Sequence, residues 1–216
     1  NNANKNIYLP MQGLEELRLS IANNLNKINK NDFRFDDIVV GPGTKELMFL
    51  TQIAFRGEIL LPAPSWVSYQ PQAVIAKNKV HWIQTTNISN WFPTKEQLEN
   101  KIKSVKTKNL MLFINSPNNP SGAVCKNLKE IAEIAKKYKL IILSDEIYSE
   151  LTFDNQYTSI SNYYPEGTIV STGLSKWCGA GGWRLGFFAI PSQLKELKNS
   201  LKILCSESFT SVSAPI

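Results

Sequence analysis

Lys176 stands in the stretch STGLSKWCGAGGWRLG, residues 171–186, with a hydroxyl at Ser175, a run of glycines behind it and Arg184 eight positions on. Glycines let a backbone approach a ligand closely or take positive φ, so an amine entering such a loop reads as held for chemistry rather than for solubility. Three more polar groups follow apolar strand-like runs. LMLFIN leads into SPNNPSG, LIILS into DEIY, and TIVST into GLSK. Side by side, these ends would bring Asn119, Asp145, Tyr148 and Lys176 around one pocket. The turn GPGT would add backbone N–H groups at a helix start, suited to a phosphate. An amine, a buried carboxylate, a phenol and an anion cradle together suit pyridoxal 5'-phosphate: a lysine holds its aldehyde, a carboxylate keeps its ring nitrogen protonated, and a separate site anchors its phosphate.

The elements that must position these groups alternate. GLEELRLSIANNLNKI carries apolar residues at helical spacing, and DDIVVGPGTKELMFLTQIAF reads as a strand, a Pro/Gly turn and a helix. EILLP is a strand, a helix runs from about Trp66 to Lys77, and KVHWIQ is a strand. TKEQLENKIK opens on a Thr N-cap with Glu96 two residues later. After it come strand LMLFIN, helix NLKEIAEIAKKY, and strands LIILSDE, TIVST and LGFFAI. Such alternation predicts an α/β fold, a mainly parallel sheet with helices on both faces in a three-layer sandwich, with ligands at the carboxyl ends of the strands. There is no internal repeat, and the opening NNANKN is polar enough to be loose.

Composition narrows the function classes. A chain of 216 residues, 43% hydrophobic, can bury one substantial core and is a normal size for one domain. Its longest apolar runs are strand-sized, and it does not open like a signal peptide, so it reads as soluble. Three scattered cysteines, Cys125, Cys178 and Cys205, make neither a disulfide framework nor a metal cluster, and the single histidine, His81, has no partner for zinc. A reducing cytoplasm is the expected setting. The net charge of +6 comes mainly from lysines on segments such as KEIAEIAKKYK, a solvated helix face, and no basic stripe interleaved with aromatics points to nucleic acid. GAGG lacks the full pattern of a dinucleotide-binding turn.

In NSPNNPSG, SDEIY, and SK followed by GWRLG, the chain resembles the fold-type I pyridoxal-phosphate-dependent aminotransferases of class I/II, the aspartate aminotransferase-like family, nearly throughout and in the right order. The resemblance implies transfer of an amino group between an L-amino acid and a 2-oxo acid in amino-acid metabolism. Lys176 would be the Schiff-base lysine and the acid/base at the substrate Cα. Asp145 would pair with the pyridine nitrogen, Asn119 and Tyr148 would hydrogen-bond the phenolic oxygen, and Trp66 would stack on the ring. Gly43, Thr44, Lys45 and Arg184 would bind the phosphate. Many relatives carry a phosphate-binding serine where this chain has Gly173, a role left to Ser175 or Thr172. Tyr8 matches a tyrosine that reaches the phosphate of the neighbouring subunit, which implies a homodimer.

The family's chains are commonly almost twice as long. The resemblance therefore implies that residues 1–216 are the large, cofactor-binding domain of a longer protein, without its N-terminal arm and C-terminal small domain. The arginine that binds the substrate α-carboxylate would lie in the latter. Such a piece would hold the cofactor and transaminate poorly or not at all. Two other outcomes share the scaffold: β-elimination, as in a C–S lyase or a ring-closing synthase, and a non-catalytic cofactor-sensing domain. Taken singly, Asp145 reads equally as a turn cap, Trp66 as core, Asn119 as a turn residue and Arg184 as an ion-pair donor. A structural account must explain each separately, whereas one bound cofactor explains all four. His81 reads as a packed or surface residue, Lys45 as contributing its backbone, and Cys178 as inert.

Overall fold

The computed structural model describes residues 8–29, 31–153 and 157–209; the opening NNANKN lies outside them. The chain runs α1 (Glu15–Ile28), β1 (Ile38–Gly41), α2 (Thr44–Ala54), β2 (Glu58–Ala63), α3 (Tyr69–Ile75), β3 (Val80–Gln84) and α4 (Lys95–Ser104). It continues through β4 (Leu110–Asn115), α5 (Leu128–Lys137), β5 (Ile141–Asp145), β6 (Thr168–Gly173), β7 (Gly186–Ala189) and α6 (Lys195–Ser208). The strands form one sheet in the order β1-β7-β6-β5-β4-β2-β3. Every pairing is parallel except the two made by β7, which is antiparallel to both β1 and β6. The expected α/β class, mainly parallel with helices on both faces, is the class found.

Both faces of the sheet are covered, which is why its central strands read as continuous apolar runs. In β4 all six residues are buried. Met111 and Phe113 point into one core with Leu47 and Met48 of α2, Tyr69 of α3 and Leu201 of α6. Leu110, Leu112 and Ile114 point into the other, with Leu98 of α4 and Ile131 and Ala135 of α5. Ile21 and Leu25 of α1 extend that second layer over Ile38, Val40 and Val170. Each such side chain removed from water contributes roughly 1.5–3 kcal/mol. α5 shows how the sequence codes this: Ile131, Ala132, Ile134 and Ala135 are buried, while Lys129, Glu130, Glu133 and Lys136 face solvent.

Four local differences from the sequence expectation have physical causes. The start of α4 is a reciprocal box in which Thr94 Oγ1 accepts from Gln97 N and Gln97 Oε1 accepts from Thr94 N, so the second partner is Gln97, not Glu96. The helix expected from Trp66 to Lys77 is shorter, because Trp66 O first closes a turn with Tyr69 N and Lys77 leaves the helix at φ 60°. β5 ends at Asp145, one residue before the end expected for it, with Glu146 N crossing to Ser171 O. α6 was not anticipated. Its Leu197, Leu201, Leu204 and Cys205 recur at helical spacing and pack in the α2 layer, and Lys198 Nζ closes a buried ion pair of 2.6 Å with Asp37 Oδ1.

Candidate active site

Asn115, Asp145 and Ser171 stand in register at or near the carboxyl ends of β4, β5 and β6. Each strand hands its chain to a loop here, and these loops carry the polar residues. Asn115 is a polar residue ending an otherwise apolar strand, and it is used twice. Its Nδ2 donates to Asp145 O at 2.9 Å, and its Oδ1 accepts from Asn119 N at 2.7 Å, which ties the loop after β4 to the end of β5. Asn119 Nδ2 then reaches Tyr148 Oη at 3.2 Å.

The Asp145 carboxylate is 5% exposed. Its Oδ2 accepts from Tyr69 Oη at 2.6 Å and its Oδ1 from Ile147 N at 3.3 Å. Burial pushes this acid up to about 6, against the pull of the Tyr69 hydroxyl, the Ile147 amide and the positive charge of Lys176. Tyr69 is itself buried and packs between Trp66, edge to face at 5.4 Å, and Phe113 at 5.0 Å. Its phenol is pushed well above its ordinary value, first by burial and then by the neighbouring carboxylate, so it acts as a donor. An aspartate held in this way by neutral donors has room for a cationic partner on its open side.

Lys176 lies in the turn after β6, where Gly179 N bonds to Lys176 O and Ala180 N to Leu174 O. Its ammonium stands over the Tyr148 ring, 5.8 Å from the centroid. On the opposite side, α2 begins at Gly43, which supplies no side chain to cap the helix, so the first N–H groups of α2 are left for a ligand. Arg184 faces them from a left-handed backbone at φ 53°, with Nη2 donating to Pro42 O at 3.0 Å and Nη1 to Gly181 O at 2.8 Å. Gly43, at φ 92°, is required: a Cβ there would lie 2.5 Å from Arg184 Nη2. Helix N-terminus and guanidinium together form an anion cradle.

These groups line one cavity of about 250 Å³. Of the residues singled out from sequence, Gly43, Thr44, Lys45, Trp66, Asn119, Asp145, Tyr148, Ser175, Lys176 and Arg184 all border it. Lys45 sends its ammonium over the Trp66 ring at 5.7 Å rather than leaving only backbone at the site. Tyr8 does not line the cavity and is 83% exposed. Of the two hydroxyls weighed in place of a serine at position 173, Ser175 borders the cavity, while Thr172 Oγ1 turns to the other side of the sheet and donates to Glu146 O. A Cβ at Gly173 would lie 2.6 Å from Leu185 O and 2.8 Å from Gly186 Cα, so a serine there would require the start of β7 to shift.

Tyr69, Asn115 and Ile147 were not singled out from sequence. Asn115 was legible as the polar end of an apolar strand, whereas Tyr69 meets Asp145 across 76 positions and leaves no local signal. His81, on β3, pairs with Glu58 of β2, away from the cavity. Cys125 and Cys205 are buried, with thiols pushed up to about 12 by burial, and Cys178 is exposed. Among the described residues no cluster of His, Cys, Asp and Glu could hold a metal ion, and no helix is long and apolar enough to cross a membrane.

The aminotransferase class I and II family matches the chain over residues 1–216. An aspartate aminotransferase of Bacillus sp. (strain YM-2) is 36% identical over 191 residues, 84% of this chain and 48% of its own length. Aromatic-amino-acid aminotransferase 2 of Thermococcus litoralis is 35% identical, covering 88% of this chain and 50% of its own. Among solved structures, the Thermus thermophilus aspartate aminotransferase with maleate superposes with a TM-score of 0.86 at 30% identity, over 97% of this chain and 55% of that one. The chain thus spans about half the length of the relatives it matches. Members of this family use pyridoxal 5'-phosphate, a cofactor whose amine, acid and phosphate requirements the cavity's donor set fits. The chain belongs to the class I and II aminotransferases.

Proposed function

We propose that these 216 residues are the large, cofactor-holding domain of a longer pyridoxal-phosphate-dependent aminotransferase that moves an amino group between an L-amino acid and a 2-oxo acid. The observation that carries this reading is the shared cavity of Lys176, Asp145, Tyr148, Asn119, Trp66 and the Gly43–Arg184 cradle. Relatives named for aspartate and for aromatic amino acids match at similar identity, which supports an L-amino acid as the substrate class.

In this reading the cofactor supplies an electron sink for the carbanion left when the substrate Cα loses its proton. The chain's own groups do the rest. Lys176 would hold the cofactor's aldehyde and, once the substrate's amine has taken its place there, would remove the proton from the substrate Cα and deliver it to the cofactor's aldehyde carbon, the shift that amino transfer needs. The Tyr148 ring beneath its ammonium keeps that amine pointed across the cavity. Asp145, held by Tyr69 and Ile147, keeps the ring nitrogen protonated. Asn119 and Tyr148, already bonded to each other, hold the ring's phenolic oxygen, and Trp66 covers a ring face. The N–H groups of Thr44 and Lys45, with Arg184 and the Ser175 hydroxyl, grip the phosphate. The exposed Tyr8 supports a homodimer in which this side chain serves the neighbouring subunit's site. Free cysteines among the described residues support a cytoplasmic setting.

The test is an absorbance titration of the protein with pyridoxal phosphate beside Lys176→Ala. The wild type is expected to develop the visible band of lysine-bound cofactor and the variant to lack it; equal spectra would overturn the assignment of Lys176. Oxo-acid formation by the longer protein, with and without an added 2-oxo acid acceptor, separates the reactions. Transamination needs the acceptor, and elimination does not.

A further inference from the structure

One short helix reaches both ends of the candidate site. Tyr69 and Gln72 of α3 are three residues apart, so they share a helix face. Tyr69 Oη donates to Asp145 Oδ2 at 2.6 Å, at the carboxyl end of β5. Gln72 Nε2 donates to Lys45 O at 3.0 Å, in the first turn of α2, where the anion cradle lies. Both side chains are buried, and neither lines the cofactor cavity itself. A second tie runs alongside: Asn78, beyond the end of α3, donates from Nδ2 to Gln52 O of α2 at 2.6 Å. The two helices are therefore pinned at two points along their length.

Gln72 is unusual where it stands. α3 packs Tyr69 and Ala73 into an apolar layer with Leu47, Met48 and Leu50 of α2, where a leucine would be buried without an amide to satisfy. Nor does Lys45 O need the bond, since an α-helix already gives that carbonyl the amide four residues on. The direction of the Gln72 amide follows from its partners. An oxygen turned to Lys45 O would be repelled, so Gln72 presents Nε2 there and turns Oε1 to Gln52 Nε2 at 3.2 Å. That leaves Gln52 Oε1 buried without a hydrogen-bond partner among the described residues. A buried acceptor left so works against stability, so the pair of glutamines is a poor device for stability alone.

We propose that Gln72 is a positioning residue: by holding Lys45 O it fixes the N–H groups at the start of α2 relative to the Asp145 carboxylate, so that α3 sets the spacing between the two ends of a bound cofactor. The inference rests on the proposed function, in which Asp145 meets the ring nitrogen and the start of α2 meets the phosphate. A ligand anchored at two ends is held best when both anchors already stand at its own span, because little is left to order on binding. Tyr69 fixes one anchor and Gln72 the other. The effect of Gln72 is therefore confined to the phosphate end.

The test compares pyridoxal phosphate with pyridoxal, the same aldehyde without the phosphate, in absorbance titrations of wild type and Gln72→Met. Methionine keeps the length of the side chain but has no N–H to donate. The variant is expected to bind pyridoxal phosphate roughly three- to tenfold more weakly, as the loss of one positioning hydrogen bond implies, and to bind pyridoxal within about twofold of wild type. Equal losses for the two compounds, or no loss for either, would overturn the proposal and leave Gln72 a packing residue between α2 and α3. Should Gln72→Met not fold, or pyridoxal bind too weakly to measure, nitrogen NMR of the wild type decides: the Gln72 side-chain amide is expected to shift as pyridoxal phosphate binds, and a signal that stays in place would overturn the proposal. A wild type that forms no lysine-bound band with pyridoxal phosphate would overturn the proposed function and this inference with it. A wild-type band together with a variant that treats the two compounds alike overturns the inference alone.

Discussion

Two carboxylates of this molecule, one at its surface and one buried, have been moved in opposite directions. Glu99, on the outer face of α4, has its Oε1 2.8 Å from Lys137 Nζ, 2.7 Å from Tyr138 Oη and 3.4 Å from Lys103 Nζ. The hydrogen bonds from Lys137 and Tyr138 hold its carboxyl down at about 2. Asp145, at the end of β5, is buried among neutral donors and pushed up to about 6. The surface acid has the cations it attracts, whereas the buried one is held short of a full partner. A fold selected for stability alone would not leave a carboxylate so placed, and the missing partner is what a bound cation would supply.

The strongest way to break this contrast is to remove the buried charge. Asp145→Asn should weaken cofactor retention by about 100-fold, since a charge pair is lost at a buried carboxylate. The same change should stabilise the cofactor-free protein by ~2 kcal/mol at about pH 8, because an amide has no ionised form to desolvate. The pH dependence follows from the direction of the shifts. Asp145 and Glu146 bind a proton more tightly folded than unfolded, so their contribution favours the folded state at about pH 4 and is lost as the pH rises towards about 7. Chemical denaturation across that range should show the decline in wild type and a shallower one in Asp145→Asn. A variant no more stable than wild type at the upper end would mean that Asp145 is not strained in the free protein.

A smaller effect sharpens the same contrast from the donor side. Tyr69→Phe keeps the ring between Trp66 and Phe113 but deletes the hydroxyl 2.6 Å from Asp145 Oδ2. The carboxylate loses a donor worth roughly 1–2 kcal/mol, so its midpoint should rise and cofactor affinity should fall about tenfold, measured by equilibrium binding. Unchanged affinity would show that Ile147 N and the neighbouring charges suffice to hold Asp145.

How much of this was written in the sequence depends on the distance over which each feature is decided. Strands such as LMLFIN and LIILS are local apolar runs, and the polar groups that follow them, Asn119 in the loop after the first and Asp145 at the end of the second, were legible from that pattern. The direction of β7 was not, since the segment between Gly173 and Gly186 could lead into a strand of either sense, and only the pairing with β1 and β6 decides. α6 carries clear helical spacing but opens without a side-chain cap, so its start has no punctuation. The contacts of Asn31 and Tyr69 are tertiary: Asn31 meets Ser161 across 130 positions and Tyr69 meets Asp145 across 76, and nothing within a window of sequence marks either. Gly173 lies between these cases. The departure from the family's serine is plain in the sequence, but the crowding of that position by the carbonyl of Leu185 needs the fold.

The smallest expected effect tests the surface side of the comparison. Glu99→Gln removes the charge that Lys137 and Lys103 share but leaves a polar side chain facing Tyr138. Both lysines are more than half exposed, so water and salt screen what the geometry offers. The Tm should change by no more than about 2 °C, and by less as salt is raised. A depressed acid gives its stability above its unfolded value and loses it as pH falls towards about 2, so the wild type and the variant should converge in acid rather than near neutrality. Cofactor binding should not change at all. If Glu99→Gln lowered cofactor affinity as Asp145→Asn does, the two carboxylates would belong to one coupled system, and the separation between a surface acid that is satisfied and a buried acid that awaits a partner would fail.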